Sequence, residues 1–444
     1  CCPPAAVPVC VRNRGPPERT RVSDKKTSSR RRRHTVARHG KLKSPHPISQ
    51  VARFIGMALA VVLVSGVSVA GFAAWGITQS FADDAVELPQ QSALPPNIGE
   101  IEGGVNLLLT GTDKCEPEYA GYFGARCTGA DSGGELNDVT MLLHISEEPR
   151  RVTVISFPRD MIVRIPSCTD AKGRVHSAMS GQMINTTYSY GGLPCTALTV
   201  SELTGQPIQF GASITWGGVI EVSNAIGGVP VCIVGGIRDR YTGLDLAAGN
   251  HELSGLTALQ FLRTRHGVGD GGDLGRISNQ QQFMSSLARK LVGDGVLSDP
   301  KTLLDLSTVA LKSVTPSKSL ANPVLLMQIA LAVKNVPFEE IVFVQYPTYP
   351  DPSDPNRVRP NTKAADVLFD ALAANVPLEL TNKASAGAGV VVETPAPVAP
   401  VTTPTPGETP TDAPVSEAVQ LPSSISGTTA AEVTCSNGNL RGRG

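Results

Sequence analysis

The runs VNLLLTG (105–111), VTMLLHI (139–145) and RVTVISF (151–157) decide the fold class. Each is a short apolar stretch rich in β-branched residues and bounded by turn signals, which predicts three strands. The link SEEPR (146–150) is of hairpin length, so the second and third strands run antiparallel and the start of one lies beside the end of the other. Asp138 immediately precedes the second strand and Arg159 closely follows the third, which puts both at one edge of the sheet. Asp113 follows the first strand and joins them there if that strand is parallel to the third. Ligands of open α/β sheets bind at such an edge. Taken singly, each of the three residues is equally what an ordinary turn or cap would carry.

A second cluster lies in LSGLTALQFLRTRHGVGDGGDLGRISNQQQF (253–283). Leu256, Leu259 and Leu262 have helical spacing, whereas Arg263 and Arg265, two apart, share a side only where the chain is extended; this predicts a helix ending near Phe261. After a Gly-rich loop, Asp273 is suited to cap a helix on which Arg276 and Gln280, at i and i+4, share one face. Three arginines near a helix N-terminus suit a polyanion, because guanidinium forks grip phosphate oxygens and the helix dipole adds to the attraction. Carboxylates at Asp113 and Asp138 would repel that anion unless a divalent cation lay between them. Mg2+ is commonly held by one or two carboxylates plus phosphate oxygens. GVGDGGDLGR lacks the EF-hand spacing, and there is no P-loop, GxSxG elbow or paired Cys/His nucleophile. The apolar pieces ITWGGVIEVSNAIGGV (214–229) and NPVLLMQIALAV (322–333) read as core, or as walls of a lipid groove.

The chain has 444 residues, 41% of them hydrophobic, yet Gly 44 and Pro 35 are too many for one compact globule throughout. Lys+Arg and Asp+Glu balance at 39 each, but the basic excess is concentrated before residue 50. The stretch FIGMALAVVLVSGVSVAGFAAWGI (54–77) carries no charge and is long enough to cross a hydrocarbon core about 30 Å thick. Its basic flank and the acidic pair Asp83, Asp84 beyond it predict a single-pass type II cell-membrane protein with the residues after the span extracellular. The basic run has no aromatic residue to stack on bases, and topology explains its charge, so no nucleic-acid partner is expected. Cys115, Cys127, Cys168, Cys195, Cys232 and Cys435 all follow the span, where disulfides form. Cys115 is expected to pair with Cys127; Cys195 pairs with Cys232 or Cys168, and the sequence does not choose. The expected organisation is a basic disordered cytoplasmic segment (1–53), a transmembrane helix (54–77), a linker (78–103), a folded extracellular domain with an appendage (104–380), and a disordered Pro/Thr/Ala-rich tail (381–444).

GTD (111–113), NDVTMLLHI (137–145), VISFPRD (154–160), INTTYSYGG (184–192), AIGGVPV (225–231) and the arginine-rich stretch after residue 253, in that order, closely resemble the LytR-CpsA-Psr family, and the cysteines and RTRHGVGDG look like its actinobacterial members. The resemblance implies an α/β fold with a mixed central sheet flanked by helices. It also implies a membrane-anchored phosphotransferase, using Mg2+ or Mn2+, that moves a glycopolymer from a polyprenyl-pyrophosphate carrier to peptidoglycan. By the same resemblance Asp113, Asp138, Arg159 and Arg276 are catalytic, with Asp113 and Asp138 on the metal. Arg159, Arg263, Arg265, Arg276 and Gln280 would bind the pyrophosphate, with Asp160 and Asp273 in support. Two departures stand out: Met183 lies where a basic residue is often found, and the loop up to Asp138 carries an insertion with Cys115, Arg126 and Cys127, so that Arg126 is a candidate replacement. The rival readings are a pyrophosphatase with water as acceptor and a non-catalytic wall-binding or regulatory protein.

Overall fold

The computed structural model describes residues 48, 50–58, 60–61, 65, 85–89, 104–129, 134–269, 271–293, 297, 299–383, 389–392 and 417–439. The chain divides at Val67 into two units. Among the described residues no helix is long and apolar enough to cross a membrane. The span expected over 54–77 lies mostly outside the described residues, and residues 50–58, which are described, are helical and exposed.

The strands that build the main sheet are β1 (Val105–Thr112), β2 (Asn137–Ile145), β3 (Val152–Phe157), β4 (Phe210–Ile214), β7 (Val314–Pro316), β8 (Ile341–Gln345), β9 (Asn382–Lys383) and β11 (Ser426–Thr429). Their order across the sheet is β7-β4-β1-β2-β3-β8-β11-β9. The expected antiparallel pairs β1/β2 and β2/β3 are present, and parallel pairs β1/β4 and β3/β8 make the sheet mixed. β1, β3 and β4 therefore end at the same edge, so Asp113, Arg159 and the chain after Ile214 emerge side by side. Asp138 is the unpaired residue of a bulge, since Gly111 faces Val139 while Thr112 faces Asn137. A bulge re-aims its side chain, and here it turns Asp138 toward that edge.

Alternating side chains pack the two faces. Leu108, Leu142 and Ile155 point to one face, against Leu193 and Val200 of α1 (Thr186–Thr204) and Leu368 of α7 (Thr362–Ala373). Leu107, Met141 and Val154 point to the other, against Leu325 and Ile329 of α6 (Pro323–Val333). All six residues of β3 are buried, as expected of a strand covered on both faces. A second sheet, ordered β6-β5-β12-β10, joins β6 (Gly249–Leu253), β5 (Val229–Val234), β12 (Thr434–Asn437) and β10 (Val390–Val392). α4 (Asp273–Gly293) packs on this sheet and touches β8 of the first, α3 (Gly255–Arg263) packs on α4 and on α2 (Trp216–Ala225), and α2 packs on α5 (Pro300–Lys312).

Two expected boundaries are corrected. Residues 381–444 are not a disordered tail throughout: β9 and β11 extend the main sheet, and Cys435 in β12 is bonded to Cys232 in β5. The cross-link and ladder hydrogen bonds supply what a Pro/Thr-rich composition cannot, while residues 393–416 lie outside the described residues. The linker expected over 78–103 likewise contains a docked piece, with Val86 bridging Ser317 and Leu88 buried in the core. Cys115 bonds Cys127 as expected, and the open choice for Cys195 resolves to Cys168.

Candidate active site

A cavity of about 520 Å³ opens at the sheet edge. Its floor is the row Leu109, Met141 and Ala212, aligned across three neighbouring strands. One wall is α2 with its C-cap, through Val219, Val222 and the capping Ile226; the other is α4, through Phe283, Met284 and Leu287. The apolar stretch read either as core or as a lipid groove is thus a groove wall. At one part of its rim the lining turns charged, with Asp138, Arg159, Arg263, Arg265 and Arg276, beside the neutral amide of Gln280.

Arg159 Nη1 donates to Asp138 Oδ1 at 2.7 Å. Its Nε lies 3.6 Å from Asp160 and 3.7 Å from Asp273. Burial opposes the charge of Arg159, but Asp138, Asp273 and Asp160 outweigh it and raise its pKa. Asp273, the first residue of α4, is the common neighbour of the cluster: Arg276 Nη2 lies 2.9 Å and Arg265 Nε 3.7 Å from its Oδ1. Arg276 is buried and also donates to the Asp138 carbonyl at 3.2 Å. Burial pushes Arg276 and Arg263 below the ordinary arginine value, and neighbouring carboxylates only partly compensate. The Nε atoms of Arg159, Arg265 and Arg276 are buried without a hydrogen-bond acceptor, and Asp273 contacts its arginines as an ion pair without hydrogen-bond alignment. Buried polar groups left unsatisfied are costly, and here three arginine donors and the Asp273 carboxylate lie together in one cluster beside the cavity.

The helix expected to end near Phe261 runs on to Arg263, whose guanidinium is seated over Trp216 at 3.9 Å and Phe123 at 5.4 Å. Thr264 then turns extended and Arg265 still reaches the rim. Gln280 donates to the Leu262 carbonyl at 3.0 Å and so fixes the end of α3. Asp160 is held by Arg357 at 3.3 Å.

Asp239 is a residue that sequence reasoning missed. It is buried, and one oxygen accepts from the Thr264 hydroxyl at 2.7 Å and the amides of Arg265 and His266 at 3.0 and 3.1 Å. Burial alone would raise its pKa, but these bonds hold it below the usual carboxylate range. Asp239 therefore positions Arg265.

The two carboxylates expected on a metal differ. Asp138 commits Oδ1 to Arg159 and faces the cavity, which fits a carboxylate that shares a hard cation with phosphate oxygens. Asp113 is at the expected edge, but its Oδ1 accepts from the Leu136 amide at 2.7 Å and its Oδ2 is 2.8 Å from Arg126. Among the described residues no group of three or more His, Cys, Asp or Glu side chains is placed to hold a metal.

The LytR_cpsA_psr family model matches residues 77–369. The chain belongs to that family. It is 30% identical over 239 residues to the probable cell wall biosynthesis protein LcpB of Corynebacterium glutamicum, a match covering 53% of each chain. It is 26% identical over 232 residues to the polyisoprenyl-teichoic acid–peptidoglycan teichoic acid transferase TagU of Bacillus cereus, covering 52% of this chain and 68% of that one. The chain thus spans about half the length of the corynebacterial relative. The LytR-Csp2A-Psr enzyme from Actinomyces oris, a solved structure, is 23% identical, with 65% of this chain and 94% of that one covered and a TM-score of 0.45.

Proposed function

We propose that this protein is a phosphotransferase that moves a glycopolymer from a polyprenyl-pyrophosphate carrier to peptidoglycan. The observation that carries the reading is the joining, in one cavity, of an apolar groove with a rim of four arginines, three of which hold unsatisfied Nε–H donors. The groove suits a polyprenyl tail and the rim its pyrophosphate. The named activity of TagU supports the same donor and acceptor classes.

Phosphoryl transfer needs positioning and charge neutralisation more than a covalent nucleophile. Arg159, Arg265 and Arg276 would hold the pyrophosphate, with Arg263 beside them and Asp239 and Gln280 fixing the loop between. A hydroxyl of the acceptor attacks the phosphorus next to the glycan, the bond from that phosphorus to the bridging oxygen breaks, and polyprenyl monophosphate leaves, taking up the proton that the hydroxyl gives up. The arginines stabilise the charge that develops on the leaving phosphate. Asp138 fits the role of carboxylate ligand for Mg2+ or Mn2+, and the ion when bound adds neutralisation of the phosphate oxygens. We further place the domain outside the cell, on a single type II membrane anchor, in keeping with three disulfides and the basic flank before residue 54.

The experiment is product analysis of a polyprenyl-pyrophosphate-linked glycopolymer with and without peptidoglycan. Polymer phosphate joined to peptidoglycan, with polyprenyl monophosphate released, is the expected result. Free polymer phosphate in both cases would make the protein a pyrophosphatase, and unchanged donor would leave a binding protein.

A further inference from the structure

The loop between β1 and β2 places a cation of the chain's own on Asp113. Arg126 Nη2 and Nε lie 2.8 and 3.2 Å from Asp113 Oδ2, and Nη2 also donates to the carbonyls of Gly134 at 2.7 Å and Asp113 at 3.2 Å. The loop is fixed on several sides. Cys115 and Cys127 close it, and Arg126 is the neighbour of Cys127. Glu116 accepts the Gly217 amide of α2 at 2.9 Å, Tyr119 donates to Glu221 at 2.6 Å, and Phe123 packs 4.3 Å from Trp216. Gly217 makes this docking possible, because a Cβ there would collide with Glu116 and Tyr119.

We propose that Arg126 is a resident countercharge that takes Asp113 out of cation binding, so that Asp138 is the carboxylate on which a divalent ion binds. A guanidinium and a hard dication compete for the same carboxylate lone pairs. Mg2+ needs an oxygen at about 2.0–2.1 Å; in Asp113 the fork holds Oδ2 and the Leu136 amide bonds Oδ1, whereas Asp138 gives only Oδ1 to Arg159. The inference rests on the proposed function for the role of the ion but not for its test.

The test is Mn2+ binding to the purified full chain without pyrophosphate, read from the electron paramagnetic resonance signal of free Mn2+. In the wild type Asp113→Asn leaves the weak Mn2+ affinity unchanged, whereas Asp138→Asn removes it. Arg126→Gln tightens Mn2+ binding about tenfold or more, the size expected for releasing a charged hydrogen-bond partner, and Asp113→Asn in the same chain cancels the gain. Equal loss in the Asp113 and Asp138 single variants would overturn the proposal, as would a gain that survives Asp113→Asn. The single variants keep Arg126 and decide the matter even if Arg126→Gln does not fold. Failure of polymer transfer with this Mn2+ pattern intact would instead count against the proposed function.

Discussion

Arg276 is 5% exposed, and its guanidinium touches Asp273 and the Asp138 carbonyl and keeps a buried Nε–H without an acceptor. Arg276→Lys preserves the charge but removes the planar fork, so the loss falls on oriented contacts rather than on net electrostatics. A charged hydrogen bond contributes about 1.5–3 kcal/mol, and losing it in the transition state lowers transfer about tenfold or more. Steady-state transfer at limiting donor, with thermal unfolding as a check on the fold, measures this; full activity would make Arg276 a structural residue. Arg276 was legible in the sequence because a short helix face carries it beside Gln280 after a Gly-rich loop. Asp239 was not: within IRDRYTG nothing marks it, since its role comes from Thr264, Arg265 and His266, which the fold brings to it. Asp113 was placed at the correct edge, yet its partner Arg126 depends on how a disulfide-closed loop lies on α2, which spacing does not encode.

Among the elements, β12 does the least expected work. Gln282 of α4 donates to the carbonyls of Thr434 and Cys232 at 2.8 and 2.9 Å, Asn279 is hydrogen-bonded to Ser436, and the Gly269 amide donates to Asn437 at 3.0 Å. The strand thus braces both α4, which carries Arg276, and the loop between Arg265 and Asp273. The Cys232–Cys435 bond spans 203 residues, and in the chain-entropy model it contributes about 5 kcal/mol. A chain stopped after Leu380 loses this strand, the cross-link and two strands of the main sheet. Its thermal unfolding midpoint should fall clearly below that of the full chain; an unchanged midpoint would show that β12 is only draped on the surface. The three central strands were legible because β-branched runs and turn signals agree within a few residues. β12 was not, because four residues in a tail dominated by Pro, Thr and Ala become a strand only through a partner far away in the chain.

On the scale of the whole molecule, strand ends, α2 and α4 enclose a groove whose lining changes from apolar to cationic along one cavity. A helix lining a groove has the same composition as one filling a core, so residues 214–229 supported both readings until the packing showed α2 facing empty volume. The arrangement has a direct consequence for how a carrier lipid binds: tail between α2 and α4, pyrophosphate on the arginines. Photo-cross-linking with a polyprenyl pyrophosphate that carries a photoreactive group in its tail tests this. Label should map to Val219, Val222, Ile226 and Leu287 and be competed away by inorganic pyrophosphate with Mg2+; label spread over the outer surface, or insensitive to that competitor, would contradict it.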